Sequence, residues 1–147
     1  MNFNIEDLKV IHFADPRMNA RPPAFDFEKD GDKAEELATV LYAKMLEVHG
    51  AGLSANQVGL PYRVFVLGNE RKRYAFFNPE VVSVSKETCL ASEGCISMPE
   101  FMVTNSPCAF NVYFPAIFGN PTTGDEQGIG TKIFERVANF VSNHADV

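Results

Sequence analysis

Two stretches of this chain have residue types and spacings that can do chemistry. The first is Gly50-Ala51-Gly52-Leu53-Ser54-Ala55-Asn56-Gln57-Val58-Gly59. Glycines and small residues at this density let a backbone come close to another chain segment or to a ligand. A Gln in such a loop offers two donors and an acceptor oxygen to a polar partner. The second is Glu93-Gly94-Cys95-Ile96-Ser97-Met98-Pro99, which sets the Cys95 thiol between a glycine and the Ile96 backbone N–H, a potential donor. Each stretch also suits a tight turn between core elements, and Cys95 also suits a small buried apolar side chain. On physics alone both readings stay open.

The elements that must position these stretches follow from apolar periodicity and breakers. Residues 1–31 contain Pro16, Pro22 and Pro23 and little periodicity, which predicts an extended, wrapping arm. Asp32–His49 is the clearest helix, with Leu37, Val40, Leu41, Met45 and Val48 along one face. Asp32 is the expected cap, with Glu35 three residues on, and Gly50 the expected residue just past the carboxyl end. Strands are expected at Tyr62–Leu67, Tyr74–Phe77 and Val81–Val84, separated by turns at Gly68-Asn69 and Asn78-Pro79. Met102–Val103 and Ala109–Phe114 are two more, and Gly119-Asn120-Pro121 reads as a further turn. A second helical pattern near Lys132–Ser142 carries Ile133, Phe134, Val137, Phe140 and Val141 at buried-face spacing. The order of arm, helix, short antiparallel strands and final helix gives the class α+β.

Composition sets the outer limits. At 147 residues and 46% apolar, the chain suits a single domain, 1–147, with its own core. A net charge of −6 argues against nucleic acid as a partner, since phosphate binding needs a basic surface. No stretch nears the roughly 20 apolar residues of a membrane span. Cys89, Cys95 and Cys108 are too few and too irregular for a disulfide framework. A reducing compartment, the cytoplasm, suits them better. Nothing in the sequence gives an oligomeric state.

Taken together, the two stretches resemble the first two signature motifs of the peptide deformylase family. Gly50–Gly59 is similar to G-x-G-φ-A-A-x-Q-x-G, with Ser54 in place of the first of the paired alanines, and Glu93–Ser97 matches E-G-C-φ-S at every position. Asp15-Pro16-Arg17-Met18, Phe77-Asn78-Pro79 and Gly119-Asn120-Pro121 extend the likeness over most of residues 9–134. The resemblance implies a deformylase-like fold of small antiparallel sheets packed around a carboxyl-terminal helix, with one further long helix. It implies removal of the formyl group from the N-terminal methionine of new chains. By the same resemblance, the Gln57 side chain and the Ile96 N–H hold the developing oxyanion, and Cys95 is a thiolate ligand to iron, zinc or nickel. Contacts to the N-terminal methionine peptide fall to Gly52, Leu53, Gln57, Glu93, Gly94, Ile96 and Met98.

The family's other two ligands come from H-E-x-x-H on the final helix, where a spacing of four puts both histidines on one face. Here the chain departs from the family. Its histidines are His12, His49 and His144, and no two stand four apart. One register puts Arg136-Val137-Ala138-Asn139-Phe140 in place of the motif, so that Arg136 and Phe140 replace the ligands. Another aligns His144 with the second histidine and leaves Phe140-Val141 for the His-Glu pair. The first is preferred, because it needs no insertion and keeps Gly128 and Gly130. Neither supplies a glutamate base. Arg136 cannot ligate a metal; it either pairs with Glu93 or turns to solvent.

Four readings follow. The preferred one is a deformylase-like protein that has lost metal-dependent hydrolysis, expects no cofactor, and retains at most binding of N-terminal methionine peptides. That binding is assigned to the Gly52–Gln57 loop and a Cys95–Met98 strand. An active deformylase, using ligands not recognised in the sequence or His144 with Cys95 and water, is the alternative. It must do without a general base commonly worth about 10²–10⁴-fold. Independent thiol chemistry at Cys95 lacks a histidine set beside it. A reading-frame error near residues 134–136 is the remaining explanation for the missing motif: the chain's end at Val147 agrees with it, and helical periodicity through Val141 speaks against it.

Overall fold

The computed structural model describes residues 3–107, 110–113 and 116–119, with side-chain surroundings for 3–88 and 95–97. The long helix forms as expected, with corrected ends. It runs Ala34–Glu47 and follows a 3-10 turn at Gly31–Lys33. Asp32 falls inside that turn, the cap position goes to Lys33, and no side chain caps the helix. At the other end the left-handed residue is His49, at φ 56°, where Gly50 was expected. His49 N–H bonds the Leu46 carbonyl at 3.0 Å and Gly50 N–H the Met45 carbonyl at 2.9 Å. That paired closure satisfies the helix's last carbonyls and turns the chain sharply into the first motif.

We number the helices α1 (Pro16–Asn19), α2 (Phe27–Asp30) and α3 (Ala34–Glu47). Leu37, Leu41 and Met45 on α3 are fully buried, as the periodicity predicts. Lys44 is buried with them; its stem lies along the apolar face while its amine reaches Glu47 at 2.8 Å.

A four-stranded antiparallel sheet receives α3. Its order is β1 (Gly52–Ser54), β2 (Val64–Gly68), β3 (Arg73–Phe77) and β8 (Ala116–Gly119). Side chains alternate across it. Leu53, Val64, Val66, Ala75 and Phe77 join the main core with α3, while Phe65, Leu67 and Phe76 form a second buried cluster. Burial on both faces makes β2 a continuous apolar run. Two further ladders pair β4 (Glu80–Val84) with β7 (Phe110–Tyr113), and β5 (Thr88–Cys95) with β6 (Met98–Pro107). Cys95 pairs with Met98, so the segment expected as a strand is a hairpin turn with Ile96 and Ser97 at its tip. The class is α+β, with β1, β5 and β8 added to the strands expected.

The arm is more regular than the prolines suggest. It contains a 3-10 turn at Ile5–Asp7 besides α1 and α2, and each starts on a capping side chain: Asn4, Asp15 and Asp26. Proline at the first helical position costs nothing, since its missing N–H has no partner there anyway. The arm is docked by aromatics. Phe25 meets Phe77 edge-on at 5.0 Å and Tyr62 at 5.5 Å, and Phe27 lies 5.3 Å from Phe77. Asn78, at the expected turn, grips the Phe25 backbone from both sides, accepting its N–H and donating to its carbonyl at 2.9 Å. Among the described residues no helix is long and apolar enough to cross a membrane. The helix expected near Lys132–Ser142 lies outside the described residues, as do Asn120 and Pro121 of the expected turn.

Candidate functional site

The closure of α3 delivers the chain into β1, and Ser54 opens a 3-10 turn at Ala55–Val58. Gly59 ends it at φ 77°, a backbone region that side chains rarely tolerate. The site is tight there as well: a Cβ on Gly59 would stand 3.1 Å from Nη1 of Arg17. Arg17 is itself held by Asp15, through bonds of 3.0 and 2.7 Å. Those side-chain bonds, with the Arg17 N–H, bring the Asp15 carboxyl down to about 2.

Within this turn Gln57 is almost completely buried, at 5% exposure. Its Oε1 accepts the Ser54 N–H at 2.9 Å. That bond fixes the amide's orientation, since only the oxygen can accept an N–H. Nε2 therefore points the other way, donating to Cys95 Sγ at 3.4 Å and to Ser97 Oγ at 3.2 Å. Both nitrogen hydrogens are thus directed at the second motif. Ser97 is 1% exposed, and Cys95 is half-buried and unbridged.

The motifs also fit by shape. Ile96 packs against the main core, and a Cβ placed on Gly50 would run into its Cδ1. Main-chain bonds from the arm add to this, Ile11 N–H to the Gln57 carbonyl at 2.9 Å and Phe13 N–H to the Ser97 carbonyl at 3.0 Å.

The structure thus brings Gln57, Cys95 and Ile96 together. It adds Ser97, a motif residue whose hydroxyl the sequence assigns no role, and Gly50, which makes room for Ile96. Leu53 turns its side chain wholly into the core, leaving its main chain to face any ligand. Gly52 is half-buried on β1, at the edge of its sheet. Glu93 and Gly94 lie on β5, opposite Val103 and Met102, and Met98 opens β6. Arg136, Phe140 and His144 lie outside the described residues.

A transition metal of the kind the resemblance implies needs about three protein ligands. Among the described residues no three His, Cys, Asp or Glu side chains group together. His12 is exposed and turns Nδ1 to the Ala14 N–H at 3.3 Å, and His49 is exposed at the end of α3. Cys95 is the ligand these residues offer, and its sulfur already accepts a bond from Gln57. Among the described residues, one of about three such ligands is therefore present.

Comparison with known proteins bears on the whole arrangement. The family model described as Polypeptide deformylase matches residues 8–106, a span holding both motifs. A peptide deformylase of Christiangramia forsetii is 34% identical over 110 residues, covering 63% of this chain and 55% of that protein. The chain spans little more than half the length of the curated relatives it matches, 55% and 57% for two of them. The crystal structure of peptide deformylase from Thermotoga maritima superposes with a TM-score of 0.68 at 26% identity, covering 94% of this chain and 92% of that one. A class I type b peptide deformylase from Acinetobacter baumannii, solved with Met-Ala-Ser bound, superposes with a TM-score of 0.69 at 21% identity, covering 99% and 96%. With the family model matched across both motifs and the same fold in the solved enzymes, the chain belongs to the peptide deformylase family.

Proposed function

We propose that this chain binds the N-terminal methionine end of a peptide in the cradle between β1 and the Ile96–Ser97 turn, and that it does not remove formyl groups. The observation that carries the reading is a contrast. The amide of Gln57 is built, buried and aimed at the second motif, while the sequence contains no two histidines four apart. A metal-bound hydroxide needs its metal; recognition of a peptide end needs only donors, acceptors and a strand edge.

The cradle has these. β1 ends the four-stranded sheet, so the main chain of Gly52 and Leu53 suits an added peptide strand. The Gln57 amide, on releasing Cys95 Sγ or Ser97 Oγ, and the Ile96 N–H are assigned as donors to the peptide's first carbonyl, and Glu93, Gly94 and Met98 are assigned to its other side. Met-Ala-Ser in the Acinetobacter structure is a ligand of this chemistry. The same proposal puts Arg136, paired with Glu93, and Phe140 where the family has its histidines.

Calorimetry with Met-Ala-Ser, formyl-Met-Ala-Ser and Ala-Ala-Ser tests the binding, alongside a deformylation assay and elemental analysis. The expected result is methionine-dependent binding, hydrolysis at background, and no stoichiometric iron, nickel or zinc. Metal at one equivalent with turnover establishes the active alternative, and absence of methionine preference removes the binding role. Introducing Arg136→His, Val137→Glu and Phe140→His together should confer metal binding; a folded triple variant that binds none shows the register to be wrong.

A further inference from the structure

The Gln57 turn and the Cys95 hairpin belong to different sheets. β1, which leads into Gln57, is part of the four-stranded sheet, whereas β5 and β6 form a separate ladder, and no ladder among the described residues joins the two. Their relative placement nevertheless decides whether Nε2 of Gln57 meets Cys95 Sγ at 3.4 Å and Ser97 Oγ at 3.2 Å. The contact to Ser97 is at the long end of useful N–H···O hydrogen bonding, so a small separation of the sheets would weaken it.

The arm crosses this gap with its main chain. Ile11 N–H donates to the Gln57 carbonyl and Phe13 N–H to the Ser97 carbonyl, at 2.9 and 3.0 Å. Two residues of chain span at most about 7 Å, at roughly 3.3–3.6 Å per residue. One short run of backbone can therefore take a carbonyl from each motif and hold the two at a set spacing. The segment is anchored at both ends. Ile11 is buried, at 9% exposure. Beyond Phe13, the Asp15 N–H closes back on the His12 carbonyl at 2.9 Å, and Asp15 caps α1, whose Met18 is 2% exposed.

We infer that Ile11–Phe13 is a positioning segment for the site, whose two backbone donors set the distance between the Gln57 amide and the Cys95–Ser97 turn. The inference goes beyond the proposed function, because it holds whatever ligand the site takes. The donors are main-chain groups, so every residue except proline supplies them, and the residue types at 11–13 carry no sequence signal for the role.

Phe13→Pro removes the N–H that holds Ser97, while Phe13→Leu keeps it. The readout is hydrogen–deuterium exchange of the Gln57 side-chain amide by NMR, referenced to the backbone amides of Val66 and Ala75 in the central sheet. Loss of one net hydrogen bond's constraint corresponds to about a fivefold rise in exchange. That rise is expected at Gln57 in Phe13→Pro, with no matching change at Val66 or Ala75, and with Phe13→Leu behaving as the unaltered protein. A segment that merely adds stability would raise all three sites together; that result, or no rise at Gln57, overturns the inference. Where Phe13→Pro does not fold, a backbone ester at position 13 keeps the side chain, removes the same donor and is read in the same way.

Discussion

The two motifs of the site are held in place by different means. The first is part of the core: Leu53 and Ala55 are 0% exposed, and Val58 and Gln57 lie beside them at 6% and 5%. The second sits at a hairpin tip, where Cys95 and Ile96 are half-buried and Ser97 alone is fully enclosed. Burying an apolar side chain the size of leucine stabilises by about 1.5–3 kcal/mol, so the Gln57 turn keeps its shape as long as the protein is folded. The hairpin tip depends on what it touches, namely Gly50 beneath Ile96, the Gln57 amide, and the arm. The donor is thus mounted on a turn enclosed by the core, and the thiol and hydroxyl it addresses are mounted on a hairpin tip held by its contacts.

The largest effect expected from this division is at Leu53. Leu53→Ala removes a fully buried side chain facing α3, and such truncations cost about 2–5 kcal/mol. The midpoint of urea unfolding should fall accordingly, with the slope of the transition unchanged. A loss below about 1 kcal/mol would show that β1 is peripheral, and the contrast between the two motifs would disappear.

How far the sequence discloses this arrangement differs from element to element. The apolar face of α3 is legible in the spacing of Leu37, Leu41 and Met45, and all three are buried. Its ends are not, because Gly31–Lys33 tightens into a 3-10 turn and His49 takes the left-handed position despite its side chain. β1 is three residues long, too short for any periodicity, and its place in the sheet depends on pairing with Val66 and Phe65 far along the chain. Gln57 and Cys95 stand out by type and motif. Their contact through Nε2 does not, because it rests on the Ser54 N–H fixing the amide's orientation. The link from Ile11 and Phe13 is backbone only, and no residue type encodes it.

Gly50→Ala tests the join between the motifs, with a smaller expected cost. The added methyl would collide with Cδ1 of Ile96, and overpacking of this kind typically costs about 1–3 kcal/mol. Ile96→Val removes that Cδ1 and should recover much of the loss. The two substitutions are therefore expected to be non-additive in a double-mutant cycle. Additive effects would mean that Ile96 does not rest on Gly50 and that the hairpin tip is positioned without the first motif.

The smallest effect belongs to Asp15 and Arg17, at the start of α1. Side-chain and backbone bonds from Arg17 hold the Asp15 carboxyl at about 2, below its ordinary 3.8. A carboxyl depressed on folding contributes stability that is fully present above its unfolded value and is lost as pH falls through its folded one. The contribution is therefore constant at neutral pH and disappears between about pH 4 and pH 2. Asp15 is half-buried and its partner Arg17 is exposed, so solvent screens the pair and the change is expected to be slight. The carboxyl carbon of Asp15, followed by NMR, should titrate with a midpoint near 2, and Arg17→Ala should move it back toward 3.8. The consequence for the site lies in Gly59, which Arg17 covers at the end of the Gln57 turn. If that turn is fixed by the core, Arg17→Ala will leave the Gln57 side-chain amide signals where they are while the Asp15 midpoint moves. If those signals shift with the midpoint, the first motif depends on its surface contacts as the second does, and the two are not held by different means.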